Sequence, residues 1–414
     1  MGPKLPAMAW RNLWRHRRRT LLTLSSIAFG TFCAILFTGM GDSNFAEMID
    51  VAARMGGGHV TLQHPEFLDS PTLGKSIHGV ADLARTAAAD PDVARVVERA
   101  AGYLMIATAA QNYGAAFIAY DPEAEDTTTL SLLDGLAEGA AFASADSKGI
   151  ILGRRLAENL DAGLGKKVVF TLTDKNGEIV QETARVTGIV STGAPSIDAG
   201  LCLLPIGRVR AALAYAPGEA AQLALFLRDQ RRADDVAERL RAKLPTDVAA
   251  LPWHRISPDL AGFIAMKVAS ARFLEVVIMI LVAAGIFNTL FVSVMERLRE
   301  FGIMLAIGFT QASIFGLVMF ESLWLALLGL VLAGLVTAAP YYYLNTVGVD
   351  VMDQMGVEGS EVAGVAMSGV MRVDIYPENA IVIVIAVLLA TLLSGIYPAW
   401  RAGHVAPVDT IRLV

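Results

Sequence analysis

The chain has 414 residues, 54% of them hydrophobic and only 18% charged, with a mean hydropathy of +0.51 and a formal charge of −6. Soluble domains carry about 25% charged residues, so part of this chain belongs in lipid, and the modest acidic balance excludes a general nucleic-acid binder. Its two cysteines, Cys33 in an apolar run and Cys202 in a polar region, are not expected to pair, so any folded part rests on core packing rather than on a disulfide framework.

Residues 1–19 gather Lys4, Arg11, Arg15, Arg17, Arg18 and Arg19 with Leu5, Trp10, Leu13 and Trp14, and no acid. That pattern reads as an amphipathic elbow lying on an anionic cytoplasmic leaflet. Residues 20–41 form a charge-free run long enough to cross a bilayer. The run is too long for the apolar core of a signal peptide, and Phe37 to Gly41 makes a poor cleavage site, so it reads as a retained first span. Asp42, Glu47 and Asp50 follow it with no base before Arg54, which places the positive flank inside the cell.

Residues 42–270 read as an extracytoplasmic α+β domain. Leu152, Leu156 and Leu160 recur at helical spacing. Val168 to Thr173 and Ile179 to Val190 look like strands joined by Asp174-Lys-Asn-Gly177, a hairpin signal because its turn needs positive φ. Leu201 to Leu204 and Gln222 to Leu227 suggest further strands, and Arg231 to Leu244 a helix with Val236, Leu240 and Leu244 on one stripe. Pro195 to Gly200 and Tyr215 to Glu219 read as loops, and Asp126 to Gly139 as ambiguous.

Residues 271–295 form the second span, with Glu275 near its outer end, and 296–313 an inside loop. Residues 314–340 form the third span, interrupted only by Glu321. The outer loop 341–378 starts with Tyr341, Tyr342 and Tyr343 at an interface. It carries Asp350, Asp353, Glu358, Glu361, Asp374 and Glu378 against the single base Arg372. Residues 379–400 are the fourth span, and the tail 401–414 holds Arg401 and Arg412. The fold class is therefore an α-helical membrane protein with four transmembrane helices, arranged one before and three after an extracytoplasmic α+β domain, with both termini cytoplasmic.

Chemistry is sparse. Gly163-Leu-Gly165-Lys166-Lys167 lacks the spacing and the hydroxyl of a phosphate-binding loop, so the chain has no visible means of hydrolysing ATP. His59, His64, His78 and Asp69 match no ligand spacing, and neither a metal site nor a catalytic residue is expected. The inside loop is more informative. Glu296 and Glu300 lie four apart as an acidic ridge flanked by Arg297 and Arg299, followed by Phe301, Gly302 and an apolar stretch closed by Gly308. The residues alone fit a solvated turn or a charged knob that docks in another protein. Glu321, a carboxylate within a span, is expected to pair across a dimer or with the elbow, a proton-coupled role being the alternative. Gly30, Gly39, Gly329 and Gly334 would permit close helix contact.

The segment from Asn288 to Gly308 resembles the ABC-transporter permeases of the MacB, FtsX and lipoprotein-releasing (LolC/LolE) types. Asn288, Glu296, Arg297, Arg299, Glu300, Gly302, Ala306 and Gly308 fall in register with that family's loop. Ala9 to Leu22, Gly149 to Gly165, and Tyr397-Pro398-Ala399 through Pro407 to Arg412 are similar to three further family segments. The resemblance implies a permease, and the sequence departs from the MacB type in carrying no fused ATPase, so the ATPase is expected on another chain. It would work with a second copy or paralogue and with two cytoplasmic ATPase subunits that hold ATP and Mg, this chain binding no cofactor. It also implies that Glu296, Arg297, Arg299, Glu300, Phe301 and Gly302 form the coupling helix against the ATPase, with Asn288 and Gly308, and the intramembrane Glu321 beside them, as packing or polar positions. The location implied is the bacterial inner membrane. The cargo implied is a lipoprotein or lipid-like molecule, with the lipoprotein or a periplasmic partner engaged by the outer domain. FtsX-like signalling to an extracytoplasmic partner and MacB-like efflux of peptides or drugs are the alternatives, and a membrane-anchored enzyme is a third class.

Overall fold

The computed structural model describes residues 5–15, 17–350, 360–362, 365–367 and 370–404. Lys4, Asp353, Glu358 and the Pro407 to Arg412 segment lie outside the described residues. The chain divides into two compact units. One comprises Met1–Asn44, Met266–Val349 and Val370–Val414, and the other Phe45–Ala265 and Asp350–Gly369.

The elbow is helix α1 (Leu5–Arg15), which buries Ala9 and Leu13 and leaves Trp10 and Trp14 exposed. Helix α2 (Arg17–Met55) contains the expected first span and continues well past Gly41. The residues just after the span, read as the start of the outer domain, are therefore helical; Phe45, Met48 and Val51 prolong an apolar face that packs on Leu260 and Phe263.

The sheet unit is built from β1 (Val60–Gln63), β2 (Ile77–His78), α3 (Val80–Ala88), β3 (Val93–Ala107), β4 (Asn112–Tyr120), β5 (Leu136–Gly139), β6 (Gly149–Gly153), α4 (Arg154–Asn159), β7 (Lys167–Thr173) and β8 (Ile179–Val190). It continues with α5 (Pro195–Gly200), β9 (Leu201–Pro205), α6 (Ile206–Ala212), β10 (Glu219–Ala220), β11 (Gln222–Leu227), α7 (Ala233–Arg241), β12 (Ala249–Pro252) and α8 (Trp253–Ile256). The main sheet is mixed. β4 runs parallel to β9 and β6 parallel to β8, while β3 is antiparallel to β4, β7 and β11. β3, β4, β9, β6, β8 and β7 pair in a closed ring around a core that includes Phe117, Leu152, Leu156, Phe170 and Leu204. The first half of β3 instead joins β11, β1 and β12, whose core with α3 and α7 includes Leu62, Leu83, Leu225, Val236 and Leu240.

Strand alternation explains β7, where Val168, Phe170 and Leu172 point inward and Lys167 and Thr173 outward. Its hairpin with β8 forms as the sequence indicates, with Thr173 opposite Ile179. Only Gly177 in the loop takes a left-handed conformation, at φ +85°. The Asp174 carboxylate accepts the Asn176 and Glu178 N–H groups, both at 2.8 Å.

Some expectations are corrected. Leu152 lies in β6, not in a helix; the strand passes into α4 at Gly153, so Leu152, Leu156 and Leu160 share one core from two different elements. Pro195 to Gly200 is a short helix rather than a loop, begun by Pro195 in the first turn, where its missing N–H goes unused. The helix expected over Arg231 to Leu244 contracts to α7, preceded by a single 3-10 turn at Gln230–Arg232 that the Asp229 side chain caps. The ambiguous Asp126 to Gly139 stretch holds a 3-10 turn, Ser131–Gly135, and then β5.

Arg99, on β3, is wholly inaccessible and ion-paired with Glu125, which is equally so at the side chain. Its guanidinium also donates to the carbonyls of Thr129, Arg54 and Gly56 and stands 5.4 Å over the Phe226 ring. Arg54 lies in the last turn of α2 and Gly56 just past its end, so Arg99 satisfies carbonyls that have no partner within the helix.

In the other unit, α9 (Pro258–Glu296) and α11 (Gln311–Thr346) flank α10 (Leu298–Ala306), and α12 (Pro377–Gly403) follows. With α2 these give four helices long and apolar enough to cross a membrane. Small residues set three close contacts. A β-carbon at Gly30 would stand 2.6 Å from Val282 Cγ2, at Gly329 2.5 Å from Ile27 Cγ2, and at Gly39 2.8 Å from Val373 Cγ1. Gly334 has no neighbour that close.

Candidate functional site: a polar knot at the α9–α10 break

Helix α9 ends at Glu296, Arg297 has φ −104° and ψ 10°, and a new helix starts at Leu298. This break turns the expected acidic ridge into two separate anchors. Glu296 accepts from Arg19 at 2.9 Å, and Glu300 stands 3.6 Å from Arg15, both arginines coming from the elbow region. These pairs are largely exposed, and each contributes little on its own.

The buried member is Arg297, 7% exposed. Its Nη1 donates to both oxygens of Glu321 at 3.1 Å, its Nε donates to Glu300 at 3.1 Å, and its Cζ lies 5.1 Å from the Phe301 ring centre. Glu321 also accepts from Asn12 Nδ2 at 2.8 Å. The carboxylate within the third apolar helix is thus satisfied by the elbow and by the loop together, as a charge removed from water requires. Around the knot, Thr20 Oγ1 donates to the Leu13 carbonyl at 2.7 Å, and Trp324 Nε1 donates to the Pro6 carbonyl at 3.2 Å. Trp10 packs edge-on to Trp324 at 5.1 Å.

The structure sorts the sequence-predicted residues by direction. Arg297, Phe301 and Gly302 turn inward, Phe301 into a core with Ala9, Val294, Ile314 and Ala399. Glu296, Arg299 and Gly308 face outward and Glu300 is half-buried. Gly308, at φ +102°, ends the loop helix in a conformation that disfavours side chains. The outward side of α10 carries Arg299, Ile303 and, just beyond, Ile307, spaced four apart and ending 71% exposed at Ile307. Asn288 lies on the outside of α9. Sequence reasoning gave Asn12 no role, although its polarity on an otherwise basic and apolar elbow is a signal.

Elsewhere, Cys33 and Cys202 are both free. His59 is buried and its Nδ1 accepts the Leu227 N–H, while His64 caps a 3-10 turn and His78 lies exposed in β2. Among the described residues, no three His, Cys, Asp or Glu side chains cluster as metal ligands.

Comparison with known proteins places this architecture. Residues 20–243 match the MacB-like periplasmic core domain and residues 272–407 the FtsX-like permease C-terminal region. The lipoprotein-releasing system transmembrane protein LolC of Xylella fastidiosa is 22% identical over 64% of this chain and 64% of its own length. LolE of Haemophilus influenzae is 21% identical over 98% of both chains. The macrolide export ATP-binding/permease protein MacB of Syntrophobacter fumaroxidans is 25% identical over 42% of this chain and 21% of its own. The chain thus spans a little under two thirds of the LolC relative it matches. With four apolar helices, a mixed-sheet domain and both family regions in order, the chain is a membrane protein of the ABC-transporter permease family to which MacB, LolC and LolE belong.

Proposed function

We propose that this chain is the permease subunit of an ABC machine whose ATPase is a separate cytoplasmic protein, and that it passes ATP-driven motion to its periplasmic domain to extract a lipoprotein or lipid-like cargo. The observation that carries this is the outward face of α10. Arg299, Ile303 and Ile307 present one charge and an apolar ridge, while Arg297 ties the helix from beneath to Glu321. A helix with an apolar stripe held rigidly from behind suits docking in a groove of a partner. In this reading Glu296, Arg299 and Glu300 meet the ATPase, and Arg297, Phe301 and Gly302 keep the helix in place. The elbow and both termini lie on the cytoplasmic side, in a bacterial inner membrane. ATP and Mg belong to two ATPase subunits, and the permease pairs with another permease.

Similarity to LolC and LolE along the chain supports a lipoprotein as cargo; the MacB-like core over residues 20–243 supports peptide or drug efflux as the second reading. The test is reconstitution of the full chain with its ATPase in lipid vesicles. Glu300→Lys, which replaces the carboxylate shared by Arg15 and Arg297, is expected to lower permease-stimulated ATPase activity about tenfold or more. Unchanged stimulation would remove the coupling role. Release of a fluorescent lipoprotein, but not of a soluble peptide, from those vesicles is the result expected for the first reading.

A further inference from the structure

Beside the knot lies a pocket of about 30 Å³ that the coupling role leaves unused. Two helices give it polar walls, α2 through Arg19, Thr20 and Thr23 and α9 through Thr289 and Ser293. It is open to the outside, since Arg19, Thr289 and Ser293 are only half-buried. The threonine hydroxyl protons are already spent. Thr20 donates to the Leu13 carbonyl, Thr23 to that of Arg19 and Thr289 to that of Gly285. Their oxygens keep free lone pairs, so these walls offer a guest acceptors. The Ser293 hydroxyl makes no hydrogen bond among the described residues.

Donors stand on the other side. Arg19 uses only its Nη1, toward Glu296, and its Nε and Nη2 have no partner among the described residues. The charges lining the pocket are Arg19, Arg297 and Glu321, and Glu296 and Glu300 pair with the two arginines. Such a site is close to neutral and favours neither a bare anion nor a bare cation. A guest carrying a phosphate and a primary ammonium fits both sides. The phosphate takes the free N–H groups of Arg19, and the three ammonium donors take the hydroxyl oxygens and Glu321. Size narrows the choice further. The pocket holds one or two groups the size of water, which admits an –NH3+ and excludes a trimethylammonium. Two exposed apolar residues flank the opening, Leu22 one turn on from Arg19 and Val292 one turn on from Thr289. They offer a surface for acyl chains. The pocket also stands where α2 begins and α9 ends, the level of the headgroups for helices that cross a bilayer.

We infer that this pocket binds the headgroup of a phosphoethanolamine phospholipid, with the phosphate on Arg19 and the ammonium among Thr23, Thr289, Ser293 and Glu321. A choline head is too bulky and has no N–H to give the hydroxyl oxygens. A glycerol head brings no positive charge to Glu321. The lipid is a fixed component held by the fold, separate from any cargo moved by the outer domain. The inference therefore stands or falls independently of the function proposed above.

The experiment uses the full chain, reconstituted in vesicles of equal parts phosphatidylethanolamine, phosphatidylcholine and phosphatidylglycerol. The protein is re-extracted in mild detergent, and the lipid that stays bound is counted by mass spectrometry. Phosphatidylethanolamine should be retained over the other two by about tenfold, the factor carried by one hydrogen bond to a charged group. Ser293→Leu, which fills the pocket, should abolish that preference. Thr289→Val removes one acceptor at a half-buried position without filling the space, and should reduce the preference. Ser270→Leu, on the same helix away from the pocket, should leave it unchanged. Glycerophosphoethanolamine, the head without its chains, should not displace the lipid when added in excess. Equal retention of the three lipids, no retained lipid, displacement by glycerophosphoethanolamine, or a preference unchanged in both Ser293→Leu and Thr289→Val would each overturn the inference.

Discussion

Arg99 and Arg297 are both nearly inaccessible; Glu125 and three backbone carbonyls accept from Arg99, and Glu300 and Glu321 accept from Arg297. Burial makes such pairs costly to break from one side. Removing one partner strands the other in a medium that cannot solvate it, typically at about 3–5 kcal/mol, whereas replacing both with apolar groups is often neutral. Arg99→Met is therefore expected to lower the thermal midpoint of the sheet unit strongly, read as loss of protease resistance on heating the detergent-solubilised chain. Arg99→Met with Glu125→Leu should recover part of the loss. Recovery should remain incomplete, because the Arg54, Gly56 and Thr129 carbonyls would still lack a donor. Equal damage from the single and double variants would show that the Glu125 charge is not what makes the loss large.

Elements were legible where a local rule governs them. Spans follow from length and apolarity, and the β7–β8 hairpin follows from its turn residues. Gly177, at φ +85°, occupies the backbone region where a β-carbon meets the following carbonyl. Gly177→Ala should cost about 1 kcal/mol and lower the melting midpoint of the sheet unit, while Asn176→Ala should do less; the two can be compared by circular dichroism in one detergent. The rest was set at a distance. The sequence Val-Ala-Arg-Val-Val-Glu-Arg-Ala at the start of β3 carries no clean alternation, and its pairing with β11 is itself interrupted by a register shift opposite Phe226 and Leu227. The four-residue recurrence of Leu152, Leu156 and Leu160 imitates a helix because a strand gives way to one between the first two. In the α9–α10 loop the charges were visible, but not their directions. A continuous helix would keep Glu296 and Glu300 on one ridge, and the break at Arg297 sends them to different arginines while turning Arg297 itself inward.

On the scale of the whole molecule, acid is expected to act on the sheet unit. Burial pushes the Glu219 carboxyl up, but Lys175, Ser76 and the Ala216 N–H more than offset it and hold it at about 2. Hydrogen bonds from Arg239 hold Asp90 below the usual carboxylate range, and those from Thr128 and Arg95 hold Asp126 at about 2. Carboxylates with depressed folded values stabilise fully above their unfolded values of about 3.9 for Asp and 4.3 for Glu, and that contribution is lost as pH falls through the folded value. Glu98 opposes the trend, its carboxyl raised by burial. The thermal midpoint of the full chain in detergent should therefore drop between about pH 4.5 and 2. Glu219→Gln should begin lower at neutral pH and fall less steeply, and parallel curves would show that Glu219 is not part of the response.

The knot at Glu321 also bears on how the chain is made. A carboxylate within an apolar span opposes insertion unless it is paired. Asn12 and Arg297, which satisfy Glu321, both precede it in sequence and so leave the ribosome before it. The third span thus reaches the bilayer with both partners of its carboxylate already synthesised. A chain lacking Asn12 or Arg297 would leave the Glu321 carboxylate under-compensated within the apolar helix.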